Sequence, residues 1–311
     1  MEKSAVQSCS IEVLPPRWQK PGLLLLGMAD DAALIQQIDE AAAHKNLAGV
    51  ALPGLLGMWD AHGLWGVVWA QLQPGGTTTI WPPRVVGHHE GLGARLAVAA
   101  VEVAEAHGAR IAQALLSPSD IVEAKWLEEA GLQRAAEIQW LVWDGPSSPP
   151  LQAIPDPLRP PWRAERYEHA RHRVRMEKLL ERTFVDSLDC PALEGVRPAT
   201  DVLEGYLAAG ASGSEHWYFI HDGAGDAGCL LLSKDAAANE LELVYMGLTP
   251  QWRGRGLGKV LVQLAQSLTC RAGCHRLLTA VDAANVPACA TYGTAGFHCW
   301  DRRHALWRVF K

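Results

Sequence analysis

The apolar and polar positions of this chain alternate between strand-like and helix-like stretches. Residues 241–248, LELVYMGL, alternate and then turn fully apolar, which predicts a strand with a buried end that Pro250 stops. From Leu257 the apolar residues fall at 257, 260, 261, 264 and 268, one face of a helix, and Gly273 stands where such a helix closes. An apolar strand follows over 276–282. A second helix then starts at Asn285, a good N-cap, tolerates Pro287 in its first turn and ends before Gly296-Phe297.

The first half repeats this order. Gly91-Leu92-Gly93 opens a helical pattern over 94–107, an apolar strand covers 110–116, and a second helix ends in Ala130-Gly131-Leu132. Gly93 precedes Gly131, and Gly258 precedes Gly296, by the same 38 positions. Two copies of one α/β unit are the economical explanation. The length of 311 residues agrees, being about twice a usual domain. Between the halves, prolines at 146, 149, 150, 155, 157, 160 and 161 hold the chain extended and remove donors. The expected organisation is a first domain over 1–145, a linker over 146–162 and a second domain over 163–311.

Composition narrows the partners. With 49% apolar residues the chain can bury sizeable cores, and a formal charge of -6 offers no general attraction for phosphate backbones. Nucleic acid is therefore not expected. No apolar stretch reaches the roughly 20 residues that span a bilayer, and the N-terminus lacks the pattern of a signal peptide, so a cytoplasmic protein without a membrane partner is expected. The seven cysteines include no paired Cys-x-x-Cys, and CRAGCH (Cys270, Cys274, His275) has no second ligand pair at zinc spacing. His88 and His89 are adjacent and their side chains diverge. No metal is expected.

The chemistry concentrates between the strand and the helix of the second half. In QWRGRGLG, Gly254, Gly256 and Gly258 let the backbone take positive φ and approach a ligand, and the open N–H groups of a helix start suit a phosphate. The spacing G-x-G-x-G fits neither the dinucleotide fingerprint nor the nucleoside-triphosphate loop, since Val260 follows Lys259.

Gln251-x-x-Gly254-x-Gly256, followed by NVPACATYGTAGF (285–297), resembles the acetyl-coenzyme A motif and the next signature of the GNAT superfamily of N-acetyltransferases. Together the two pieces cover about 60 residues. The doubling resembles the tandem, two-domain members of that superfamily, the mycothiol synthase-like proteins. The resemblance implies an α/β fold of two GNAT-like domains, each a twisted mixed sheet flanked by helices. It also implies acetyl-CoA as cosubstrate, an N-acetyltransferase reaction and a small-molecule amine acceptor, in a monomer or homodimer. Carried over by residue, the backbone amides of Arg253, Gly254, Arg255, Gly256, Leu257 and Gly258 would hold the pyrophosphate, with Gln251 opening the motif. The edge of Met246, Gly247 and Leu248 would pair with the pantetheine arm. Tyr292 would give a proton to the leaving thiolate, and Glu242 would deprotonate the amine.

An attacking amine with pKa near ~10 needs a base, and a carboxylate is one candidate. On an unbulged strand Glu240, Glu242, Met246 and Leu248 share a face, so either glutamate could serve. Asn285 and Tyr292 lie two helical turns apart on one face and can meet one extended ligand. Arg253 and Arg255 either reach the phosphates or are solvated. Cys229 and Cys289 open an acyl-cysteine route, for which no His partner is assignable.

In the first half Leu127 stands where Tyr292 would be, Asp120 replaces Asn285, His89 replaces the first glycine beside Glu90, and residues 75–77 carry no acid. A domain that has lost catalysis and serves as scaffold or as one wall of the acceptor site is expected. Trp65 and Trp69 would share a strand face there. On the acceptor side, 171–209, Asp186, Asp189 and Glu194 sit in a loop and suit either a cationic acceptor or water. The basic run 163–175 reads as a charged helix face. Two other functions are consistent with these motifs: an acyl-CoA binding module without turnover, and O-acetylation of a hydroxyl.

Overall fold

A computed structural model describes residues 9–27, 52–60, 63–87, 91–146, 157–209, 212–235 and 238–311. His88, His89 and Glu90 lie outside the described residues. The chain forms two compact units: Met1–Ala135 with His304–Lys311, and Ala136–Arg303. Both are mixed sheets flanked by helices.

In the first unit the strands are β1 (Ser10–Val13), β2 (Leu55–Asp60), β3 (Gly63–Gln73), β4 (Thr77–Val85) and β5 (Ile111–Leu116). They are ordered as numbered, antiparallel except for β4 and β5, which pair in parallel from Thr77 to Thr79. The far side of β5 is paired by residues 304–309 of the last strand, β12 (His298–Val309), which is why the end of the chain belongs to this unit. Helix α1 (Pro16–Leu25) covers one face over Leu14, Leu55, Val67 and Trp69. Helices α2 (Leu92–Ala106) and α3 (Ile121–Glu129) cover the other. Helix α2 buries Leu92, Leu96, Ala97, Ala100, Val101 and Ala104, one stripe of an amphipathic helix, and each fully buried Leu contributes roughly 2 kcal/mol.

Trp65 and Trp69 do not share a face. The β2–β3 register shifts between Met58 and Trp59, which leaves Trp65 bulged; it packs on the α2 side, while Trp69 points to the α1 side and stacks on Trp81 at 6.5 Å.

The second unit is ordered β6, β11, β10, β9, β8, β7. These are β6 (Gln133–Asp144), β7 (Arg163–Arg166), β8 (His216–His221), β9 (Asp226–Asp235), β10 (Glu240–Leu248) and β11 (Arg276–Asp282). Residues 138–144 of β6 pair with β11, which draws that part of the strand into this unit. The end of the proline-rich stretch joins it too: Leu158 is buried in its core and Trp162 meets Trp252 edge-on at 4.7 Å. Helices α4 (His169–Phe184) and α5 (Ala199–Ala209) cover one face. Helices α6 (Leu257–Arg271) and α7 (Val286–Thr294) cover the other. The basic face of α4 is neutralised by neighbours: Arg173 meets Glu177 and Glu204, and Arg175 bridges Glu165 at 2.8 Å and Asp226 at 2.6 Å while its guanidinium lies over the Phe219 ring.

Candidate active site

Strands β10 and β11 run in parallel and pair only from Glu240–Arg276 to Leu243–Thr279. At that point β10 bulges: opposite β9, Leu243 faces Leu232 and the next paired residue, Tyr245, faces Leu231, so Val244 is the extra residue. Beyond it β10 stays paired with β9 through Leu248, while β11 continues along β6. The two strands thus fork, and among the described residues the β10 edge from Val244 to Leu248 has no strand partner on that side.

The bulge changes which side chains share a face, and here the unbulged alternation expected from sequence fails. Leu241 and Leu243 face α6 and α7 together with Met246 and Leu248; Glu242, between them in the alternation, lies on the opposite face, the side of Tyr245. Glu240 is engaged by Arg276 at 2.8 Å, which leaves Glu242 as the carboxylate open at the fork. Glu242 is solvent-accessible, yet surrounding protein atoms push its carboxyl pKa above the ordinary value by desolvation.

Tyr292 comes to the fork from the other side. It is buried in the α6–α7 core against Phe297, with ring centroids 5.3 Å apart. Desolvation pushes its phenol up to about 12, against the opposing pull of the Thr279 hydroxyl beside it. Thr279 donates to the Leu243 carbonyl at 3.1 Å, at the last paired position before the strands separate. Sequence reasoning passed over Thr279, whose one sign was a polar residue inside the apolar run RLLTAVD. Asn285 accepts from the Ala288 amide at 3.3 Å, so its oxygen caps α7. Glu242 and Tyr292 therefore bracket the fork from opposite faces of the sheet.

The glycine loop closes the other end. Residues Pro250–Trp252 form a short 3-10 turn that leaves Gln251 exposed, and α6 starts after Gly256. Gly254 at φ +69 and Gly256 at φ +80 use the left-handed region that other residues avoid. Among the described residues the amides of Gly254, Arg255, Gly256, Leu257 and Gly258 have no hydrogen-bond partner, which leaves a cluster of donors at the positive end of a 15-residue helix. The Arg253 amide is different, because it donates to the Pro250 carbonyl at 3.2 Å. Its guanidinium is engaged by three carbonyl oxygens, and Arg255 lies over the Trp252 ring at 5.1 Å. Five of the six expected amides thus remain open to an anion.

Gly258 and its counterpart Gly93 differ in a telling way. A Cβ on Gly258 would meet only Leu248, at 4.0 Å, so neither φ nor crowding within the protein asks for glycine there. A Cβ on Gly93 would run into the Trp126 indole at 2.2 Å. In the first unit Trp126 lies over the start of α2, Leu127 is fully buried in the core, and Asp120 accepts from the Ser117 amide.

Two of the acceptor-side carboxylates, Asp189 and Glu194, brace the loop while remaining exposed. Asp189 accepts from the Asp282 amide at 3.1 Å, Asp282 accepts from the Cys190 amide at 3.3 Å, and Glu194 accepts from the Asp186 amide at 3.4 Å. Desolvation by surrounding protein atoms raises the pKa of Asp189, helped by the Asp282 charge. The two candidate thiols resist ionisation: burial pushes Cys229 up to about 12 and raises Cys289. Among the described residues no group of three or more His, Cys, Asp or Glu gathers as a metal centre, and no helix is long and apolar enough to cross a membrane.

The forked strand pair and the anion loop at its open end lie within the segment for which comparison with known proteins gives a family. Residues 174–297 match the Acetyltransferase (GNAT) family. A mycothiol acetyltransferase of Thermobifida fusca (strain YX) is 31% identical over 233 residues, 68% of each chain. One of Nocardioides sp. (strain ATCC BAA-499 / JS614) is 33% identical over 107 residues, 32% of this chain and 35% of that one. A GCN5-related N-acetyltransferase from Sphaerobacter thermophilus shares the fold at a TM-score of 0.63 and 18% identity, over 97% of this chain and 95% of that one. The chain belongs to the GNAT acetyltransferase family and is of its tandem type, similar to mycothiol synthase-like proteins.

Proposed function

We propose that the protein is an N-acetyltransferase that moves acetyl from acetyl-CoA to a primary amine of a small molecule, by direct attack in a ternary complex at one site in the second unit. The observation that carries this reading is the fork at Val244, with open amides at one end and Glu242 and Tyr292 on its two sides.

In this reading the amides of residues 254–258 hold the pyrophosphate, and the unpartnered β10 edge over Met246, Gly247 and Leu248 pairs with the pantetheine arm, which sets the thioester in the fork. Glu242 takes the proton of the attacking amine, directly or through water, and its raised pKa makes it a better base. Tyr292 meets the sulfur from the opposite side and donates to it as the carbon–sulfur bond breaks. Asn285 keeps α7 in place. The first unit takes no coenzyme, because Trp126 occupies the space over α2 that Gly258 leaves open over α6.

The relatives named mycothiol acetyltransferase support a small-molecule acceptor. The test is a panel of small amines with acetyl-CoA, the product read by mass spectrometry before and after mild base. A base-stable product of acetyl mass supports N-acetylation; a base-labile one transfers the reaction to a hydroxyl; no product with any amine despite tight acetyl-CoA binding favours a binding module.

A further inference from the structure

Arg253 stands inside the glycine loop, where a cation would be expected to face the phosphates, and its side chain does something else. The guanidinium turns back and donates from Nε to the Leu248 carbonyl at 3.0 Å, from Nη1 to Asp186 at 2.9 Å and from Nη2 to Thr183 at 2.8 Å. Leu248 ends β10. Thr183 lies in the last turn of α4, whose carbonyls have no helical partner, and Asp186 is in the loop that follows. One planar group thereby joins the end of the forked strand, the start of the acceptor-side loop and, through its own backbone, the anion loop.

That loop needs holding. Asp186 at φ 52 and Cys190 at φ 47 are non-glycine residues in the left-handed region, a conformation that persists only where neighbours fix it. Its far part is fastened by the Asp189 and Cys190 bonds to Asp282 at the end of β11. The loop is thus strapped across the mouth of the fork, pinned to β11 at one point and to the β10 end at the other, and Arg253 makes the second pin.

We infer that Arg253 is a positioning residue that couples the anion loop to the acceptor-side loop, so that coenzyme binding orders residues 185–196. This rests on the proposed function only for the identity of the ligand. Three directed N–H groups in a plane are needed, and a lysine, with one nitrogen, cannot reach the three carbonyls from the same geometry. A phosphate-binding role would ask only for positive charge.

The experiment is hydrogen exchange of the full-length protein, with and without acetyl-CoA, for wild type, Arg253→Gln and Arg253→Lys, alongside calorimetric Kd for acetyl-CoA and melting temperatures. The expected result is exchange over residues 185–196 faster by about tenfold or more in both variants, with loss of the extra protection that acetyl-CoA gives the wild type. The Kd should stay within about threefold of wild type, since the guanidinium is directed away from the amides. Should the glutamine variant not fold, the lysine variant carries the same comparison. Unchanged exchange in residues 185–196 overturns the inference. So does a Kd weakened about tenfold by glutamine and restored by lysine, which would make the side chain a phosphate ligand. If wild type does not bind acetyl-CoA the proposed function fails, while the comparison of the unliganded proteins still decides whether Arg253 holds the loop.

Discussion

Replacing Tyr292 with phenylalanine removes one oxygen from a side chain that is only 6% exposed and stays packed on Phe297. The ring keeps its place, so the cost in stability is the lost polar pairing near Thr279, about 1 kcal/mol. The catalytic cost can be worked from the phenol pKa of about 12. An alkyl thiol titrates near ~8.5, so complete proton transfer from Tyr292 to the thiolate is uphill by roughly 3.5 pKa units, or ~5 kcal/mol. The phenol therefore acts by donating a charge-assisted hydrogen bond to the developing thiolate. Such a bond contributes roughly 1.5–3 kcal/mol, so Tyr292→Phe should slow turnover by roughly tenfold to a hundredfold. The assay is thiol release at saturating acetyl-CoA and acceptor, with Kd for acetyl-CoA measured separately and expected to hold. With its pKa near 12 the phenol stays protonated through the working range, so the wild-type rate should show no limb from Tyr292 below about pH 11. Unchanged turnover, or an alkaline limb near pH 9 that the variant abolishes, would refute this reasoning.

Glu242→Gln should abolish most turnover and remove the acid limb of kcat/KM, which a pH–rate profile checks. Because the folded carboxyl pKa is raised, wild-type stability falls as pH rises through the window from the unfolded to the folded value and stays lower above it. The glutamine variant should therefore melt at or above the wild-type temperature at neutral pH, and the difference should close below that window. Gly258→Ala should leave the melting temperature unchanged or slightly raised, since its Cβ meets only Leu248 at 4.0 Å and alanine favours a helix by about 0.5–1 kcal/mol. Its Kd for acetyl-CoA, by calorimetry, should nonetheless weaken where the backbone approaches phosphate. Cys289→Ser should retain turnover in the same thiol-release assay, as a thiol held protonated by burial is a poor nucleophile; loss of activity would revive an acyl-cysteine route.

What was legible in sequence was what local pattern decides. The helix expected from Leu257 runs Leu257–Arg271, the strand over 276–282 is Arg276–Asp282, and Asn285 caps α7 as its position suggested. The bulge at Val244 was not legible, because LELVYMGL turns fully apolar from Leu243 and so no longer marks which face a residue takes, and only the pairing with Leu232 and Leu231 shows the extra residue. That one residue moved Met246 and Leu248 off the face of Glu242. The placing of Asp189 against Asp282, 93 positions away, likewise depends on how the strand ends meet the loop. Arg253 was read by its neighbours in sequence, and its direction is set by carbonyls of Thr183 and Asp186 some 70 positions earlier. The exchange of strand partners, β12 on β5 and β6 on β11, also escaped a reading that cut the chain at its prolines.

Calorimetric titration of the full-length protein with acetyl-CoA decides whether the second unit holds one working coenzyme site. The expected result is saturable binding of about one molecule per chain, lost when the anion loop is altered at Gly256 and unaffected by Trp126→Phe. Two equivalent sites per chain, or no binding at concentrations well above micromolar, would contradict it.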